Sequence, residues 1–253
     1  LHPGMSTKNS GVIKTLLSAL FWIMLWQGLA LLIGKPLLFP TPVSVILRLT
    51  ELVCTIEFWN YTLISLLRIS AGILAAMLTG VILAVLTCRF SILDTLFSPI
   101  ITIVKTTPVA SFVVLVLIWI KRDYVPVLIS ALMVLPVVWA NVSAGIRNTD
   151  KQLLEMAQVY KLPALKKISC IYIPSCRPYF RSACTGALGF GWKAGIAAEV
   201  LTVPKVSIGR MIYESKLYLQ TTDLFAWTAA VIILSLCLEK IVMRIIAGGP
   251  QDA

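Results

Sequence analysis

The apolar residues of this chain come in long blocks that carry no charge. Residues 15–34 run for 20 positions without a charged side chain, 69–88 for 20 and 124–146 for 23. A helix needs about 20 such residues to cross the hydrocarbon of a bilayer, so each block predicts a transmembrane helix. Three further stretches are apolar but interrupted or short. Residues 95–120 contain Lys105, 182–203 contain Lys193 and Glu199, and 224–238 is short but continues as an aliphatic stretch to near Ala247. The pattern predicts an all-α integral membrane protein of about six transmembrane helices. It forms one membrane domain over 1–253, with an N-terminal tail at 1–11. The first block is too long and too rich in Trp for a signal peptide, and no small-residue cleavage site follows it. Residues 1–4 precede a Met-Ser start at Met5 and read as a cloning remnant or an alternative start.

Composition supports the membrane reading. Hydrophobic residues make up 58% and charged residues 13%, against about 25% charged in a soluble domain. The apolar excess must face lipid, and the same numbers exclude intrinsic disorder. The net charge of +11 would suggest nucleic acid for a soluble chain, but basic residues flanking membrane spans account for it. No nucleic-acid partner is expected. Six scattered cysteines without a CxxC, and a single histidine, His2, in the tail, predict neither a metal site nor a disulfide framework.

Orientation follows the cations of the short loops. Residues 147–181 carry Arg147, Lys151, Lys161, Lys166, Lys167, Arg177 and Arg181 against Asp150 and Glu155, which predicts a cytoplasmic loop between spans four and five. Counting outward places both termini inside. Lys8, Lys14, Arg89, Lys240 and Arg244 agree; Lys121 and Arg122 dissent, partly offset by Asp123. Residues 35–60 then lie outside, where Pro36, Pro40 and Pro42 lead into an amphipathic surface helix containing Arg48, Glu51 and Glu57.

A loop of about 30 residues between two spans is longer than a connection requires and predicts structure of its own. Thr149 and Gln152 have capping-box spacing, and Asp150 adds charge to the first turn. Residues 153–160, LLEMAQVY, favour helix, and Pro163 suits the first position of a second short helix. Pro174 and Pro178 punctuate the approach to span five. The residues alone leave two readings open: a helix pair anchored on the membrane surface, or a docking element for a cytoplasmic partner.

The spacing in this loop carries a resemblance. Glu155-Met156-Ala157, three residues, Lys161, nine residues and Ile171-Tyr172-Ile173-Pro174 resemble the EAA loop of ATP-binding-cassette importer permeases. That loop reads Glu-Ala-Ala, three residues, Gly, nine residues, Ile-x-Leu-Pro. Lys161 stands where glycine is usual. Residues 65–85, Pro99, Pro108-Val-Ala110 and GFGWKAGIAAEVL at 189–201 are similar to the nitrate/sulfonate/taurine-type group. IWIKRD at 118–123 departs from that group's Trp-Phe-Gly-x-Gly. The resemblance implies the permease subunit of a type I importer in the bacterial inner membrane. A second permease copy, most simply a homodimer, would complete the pathway within the lipid. Separate ATPase subunits holding ATP and Mg would dock on Glu155, Met156, Ala157, Lys161, Ile171 and Pro174. An extracytoplasmic solute-binding protein would deliver a small, anionic solute. The chain has no phosphate-binding Gly-x-x-x-x-Gly-Lys loop, so it is expected to be no enzyme and to hold no cofactor.

Charges within apolar stretches are costly, about 2.5–3.5 kcal/mol each at mid-membrane, and face protein or water. Lys193 and Glu199 are six residues apart, about 120° around one helix, so they are not a same-face pair. Lys193 is expected to pair with a carboxylate on another span or to snorkel, or else to meet an anionic substrate. Glu199, near the outer end, is expected to support the fold or a gate. Arg68 is expected to be an interfacial anchor that snorkels, with a gate or substrate role as its alternative. Gly72 and Gly80, and Gly186, Gly189, Gly191 and Gly195, are expected to allow close helix packing. A secondary transporter or channel would show ionisable residues recurring in several spans or an inverted repeat. A membrane enzyme would show paired membrane aspartates or a comparable constellation. The sequence has neither.

Overall fold

The computed structural model describes residues 6–247, with side-chain surroundings for 17–244. The tail residues His2 and Met5 lie outside the described residues. Of the expected tail at 1–11, the part from Ser6 onward already belongs to the first helix.

The described residues form helices and no strands. In chain order these are α1 (Ser6–Ile33), α2 (Pro42–Val53), α3 (Ile56–Arg89), α4 (Ser91–Thr106), α5 (Val109–Val116), α6 (Val125–Arg147), α7 (Lys151–Val159) and α8 (Ala164–Lys167). A π-turn (Ile168–Tyr172), α9 (Ile173–Thr202), α10 (Ile208–Leu217) and α11 (Thr221–Ala247) follow. Five of the six apolar blocks each fall on one helix, and the block at 95–120 is divided between two. Of these helices α3, α6 and α11 are each long and apolar enough to cross a membrane alone. The described apolar part of α1 is shorter, and α9 carries internal charges.

The block at 95–120, expected as one span, is not a continuous helix. It breaks between α4 and α5, and the two halves meet at 104°. Pro108 explains the break. Proline has no N–H to continue the ladder and pushes the preceding residue out of the helical region. Thr107 is accordingly extended (φ −74°, ψ 132°), and α5 restarts after Pro108.

The chain divides into two compact units. Among the described residues one comprises 6–59 with Met211–Ala230; the other comprises Asn60–Arg210 with 231–247. In the first, α2 starts where Thr41 accepts a hydrogen bond from the Ser44 N–H and Pro42 occupies the first turn. These are the signals that begin a helix. Arg48 holds Asp223 at 2.6 and 2.9 Å and Glu51 at 2.8 Å. These two carboxylates raise the guanidinium pKa further above its ordinary value. Trp26 donates to the Pro40 carbonyl at 3.1 Å and packs with Phe39 and Phe225.

The second unit is built on small residues that let helices close on one another. On α3 the leucines at 63, 67, 74 and 78 are exposed, while Ile69, Ile73, Ala76 and Ala84 are buried. This is one face for lipid and one for protein. Gly72 sits on the buried side, where an added Cβ would lie 2.3 Å from the Val127 carbonyl oxygen of α6. Gly191 and Gly195 of α9 approach Ile73, Val134 and Ile69 so closely that a Cβ would lie 2.7 Å from them. The expected close packing at Gly189 is not made, because nothing lies within 4 Å of a Cβ built there. Val113 and Val116 of α5, Val125 and Ile129 of α6, and Ala194 and Ala198 of α9 form a common apolar core.

Candidate functional site

The loop between α6 and α9 is ordered by its own backbone. Asp150 caps α7, its carboxylate accepting from the Gln152 N–H at 2.8 Å. Thr149, expected to cap through its capping-box spacing, instead donates its hydroxyl back to the Gly145 carbonyl at 3.2 Å. The carboxylate one residue later reaches the free Gln152 N–H and, being charged, binds it more strongly.

Helix α7 ends in a Schellman motif. The Leu162 N–H donates to the Ala157 carbonyl and the Lys161 N–H to the Gln158 carbonyl, both at 3.0 Å. The motif requires a left-handed residue after the cap, normally glycine, and Lys161 takes that place with φ 49°. The tight turn therefore forms without glycine, at a strain of about 1 kcal/mol. Lys161→Gly should relieve that strain and raise the melting temperature of the detergent-solubilised chain by about 2–4 °C. A lowered melting temperature would show that Lys161 contributes something besides its backbone angle.

The second helix of the loop is continuous with the fifth membrane helix. Pro163 caps α8 instead of occupying its first turn. The chain then passes through the π-turn, where the Ile173 N–H donates to the Ile168 carbonyl, directly into α9. Pro174 lies in the first turn of α9 and lacks an N–H, and the wider π-turn absorbs the missing ladder bond. Pro178 is inside α9 and does not end it.

The loop residues divide by exposure. Ala157 and Ile171 are buried, so the small side chain of Ala157 is used within the loop. Glu155, Lys161 and Pro174 are exposed, as are the apolar side chains of Met156, Val159, Tyr160 and Leu165. Among the described residues Glu155 makes no ion pair.

Glu199 lies at the far end of α9 and is 0% exposed. It accepts from Ser65 Oγ at 2.7 Å, Arg68 Nη1 at 2.9 Å and the Gly209 N–H at 3.2 Å. Ser65 in turn accepts from the Ile208 N–H at 2.9 Å. Arg68 also reaches the Val206 carbonyl at 3.3 Å and Asp123 at 3.7 Å. The interfacial anchor expected of Arg68 is thus a partner of the buried carboxylate, drawn inward because an unpaired charge there costs more than an ordered side chain. The network ties α3, α9 and the start of α10 together. Between them α9 ends on Val203 at φ 48°, a strained angle for a β-branched residue.

Lys193 does not join this network. Among the described residues no carboxylate lies within 4 Å of it, so the pairing expected for it is not made. It lines a cavity of about 690 Å³ between α4, the break at Thr107–Pro108, α6 and α9. Lys105 lines the same cavity. In the sequence Lys105 shows only as an interruption of an apolar block. The available signal was that a second membrane lysine had no acidic residue at mid-block to pair with. Among the described residues no three His, Cys, Asp or Glu side chains converge where a metal could sit.

Comparison with known proteins places these features in context. Residues 72–247 match the family model described as "Binding-protein-dependent transport system inner membrane component". The chain is 28% identical to the permease SsuC of Bacillus subtilis (strain 168), named for aliphatic sulfonates transport, over 87% of this chain and 80% of that protein. It is 23% identical to the taurine transport system permease protein TauC of Escherichia coli (strain K12), over 92% and 85%. It is 28% identical to the nitrate import permease protein NrtB of Leptolyngbya laminosa, over 62% and 56%.

Proposed function

This chain belongs to the family of binding-protein-dependent transport system inner membrane components, and on that premise we propose that the loop around Glu155 is where its ATPase takes hold. The chain is a multi-pass membrane permease subunit of an ATP-binding-cassette importer, a transport component and not an enzyme. Residues 1–253 act as one permease domain of six spans in the bacterial inner membrane, with both termini and the loop at 147–181 on the cytoplasmic side. Two copies enclose the pathway. The ATPase subunits hold ATP and Mg, and the binding protein delivers a small anionic solute from outside.

The observation that carries this reading is the form of the loop. Glu155 is exposed and, among the described residues, makes no ion pair; it stands beside exposed apolar side chains on a helix whose end is locked by the Schellman turn. From Ala164 the chain runs helical through the π-turn to Thr202. A displacement of the loop is therefore carried along α9 to Lys193 and Glu199 without a flexible joint. Nucleotide state biases the pathway only through a contact that differs between the two states, and this loop supplies a rigid one. Met156, Lys161 and Pro174 shape the surface that the ATPase meets, while the buried Ile171 supports it from within the loop.

Glu155→Lys tests it. Reversal of a charge in a docked interface costs about 2–5 kcal/mol. An affinity-tagged Glu155→Lys chain should retain at least about tenfold less ATPase than wild type, at equal abundance in the membrane. Equal retention would reject the docking role.

A further inference from the structure

We propose that Lys105 and Lys193 together form an anion-selecting subsite within the permease, which accepts an organic monoanion with an apolar tail and discriminates against zwitterions. The inference deepens the importer reading and rests on it for the direction of transport, but not for binding itself.

Two lysines from different helices line one cavity with no acidic side chain in its wall. Neither makes an ion pair among the described residues, although both stand in apolar helical segments where an ionised group needs water or a counter-charge. The other polar side chains of the wall are already engaged. Thr107 donates its hydroxyl to the Ile103 carbonyl at 2.7 Å, and Asn141 donates its amide to the Val137 carbonyl at 2.8 Å. Among the described residues the two ammonium groups are thus the charged donors of the wall that make no hydrogen bond within the protein. Both lysines are exposed, so their like charges stand on the cavity wall, where a bound anion offsets the repulsion between them. The start of α5 at the same wall adds the positive end of a helix dipole.

The rest of the wall sets the class of ligand. Leu132, Met133, Val137 and Phe190 are apolar, and the volume of about 690 Å³ is that of a pocket for an organic molecule. An alkyl tail fills it better than water does. The ammonium group of an amino acid or aminosulfonate would meet two lysines and no carboxylate. Such a solute would lose with its cationic end what it gains with its anionic one.

The test uses the full chain in lipid nanodiscs with 4,4,4-trifluorobutane-1-sulfonate as a fluorine NMR probe. Wild type should broaden the probe resonance, and butanesulfonate should displace it at least about tenfold more effectively than taurine. Lys105→Gln and Lys193→Gln should each weaken probe binding about tenfold, and the arginine variants should restore it. Ala197→Asp adds a carboxylate to the same wall and leaves both lysines in place. It should shift preference toward taurine, and it decides the matter if a glutamine variant does not fold. The proposal is overturned if wild type does not bind the probe, or if folded glutamine variants bind it undiminished. It is equally overturned if taurine competes as well as butanesulfonate, or if Ala197→Asp leaves the preference unchanged. Probe binding by a chain that retains no ATPase would reject the importer reading alone. ATPase retention without probe binding would reject the subsite alone.

Discussion

Glu199→Ala should destabilise the chain by about 3–5 kcal/mol, the cost of breaking a buried ion pair by removing one partner. The carboxylate is fully buried and accepts from Ser65, Arg68 and the Gly209 N–H. Alanine strands all three donors and leaves Arg68, whose side chain is 12% exposed, with only the Val206 carbonyl and the more distant, half-exposed Asp123. The melting temperature in detergent should fall by about 10 °C or more, or folded protein should fail to accumulate. Glu199→Gln should be milder, because the amide oxygen can still accept from Ser65 or Gly209 while the charge is lost. Arg68→Ala in the Glu199→Ala background should add little further loss, since residues of one network are not additive. A Glu199→Ala protein melting within about 2 °C of wild type would reject this network as a structural tie.

Gly72→Ala should be nearly as severe, from a single added methyl group. That methyl would lie 2.1 Å from Ser130 Oγ and 2.3 Å from the Val127 carbonyl oxygen. The hydroxyl can rotate away, but the backbone carbonyl of α6 cannot, so α3 and α6 must part. Overpacking of a close contact costs about 1–3 kcal/mol, occasionally more, and the upper end is expected where the clash is with backbone. Gly189→Ala is the matched control. Nothing lies within 4 Å of its added Cβ, so only helix propensity acts and the change should be neutral or stabilising by up to about 1 kcal/mol. Equal melting temperatures for the two variants would show that α3 does not approach α6 as described.

Local rules failed where two groups competed for one role or where a rule has a permitted exception. Thr149 had the capping-box spacing, yet Asp150 made the bond, because a charged acceptor one residue on outcompetes a hydroxyl that can satisfy itself on Gly145. Lys161 stood where glycine is usual, and the turn formed regardless. A single left-handed residue costs only about 1 kcal/mol, which two backbone hydrogen bonds and the continuity into α8 can offset. Pro108 was visible, but a proline in an apolar block is compatible with either a kinked span or a break. The 104° bend between α4 and α5 depends on what the two halves pack against.

The order of residues alone determined that this is an all-helical membrane protein with a structured basic loop. Charge-free runs of 20 or more have one stable environment, and the spacing of Glu155, Ala157, Ile171 and Pro174 is a local property of consecutive helical turns. Only the tertiary structure decided what the intramembrane charges do. Glu199 finds its partners at sequence separations of 131 and 134, and Lys193 shares its cavity with Lys105 on another helix. On one helix such residues differ only in angle. Whether a charge is paired or left facing a cavity is set by the neighbouring helix, because the cost of ionisation depends on the groups within a few ångströms and not on neighbours along the chain.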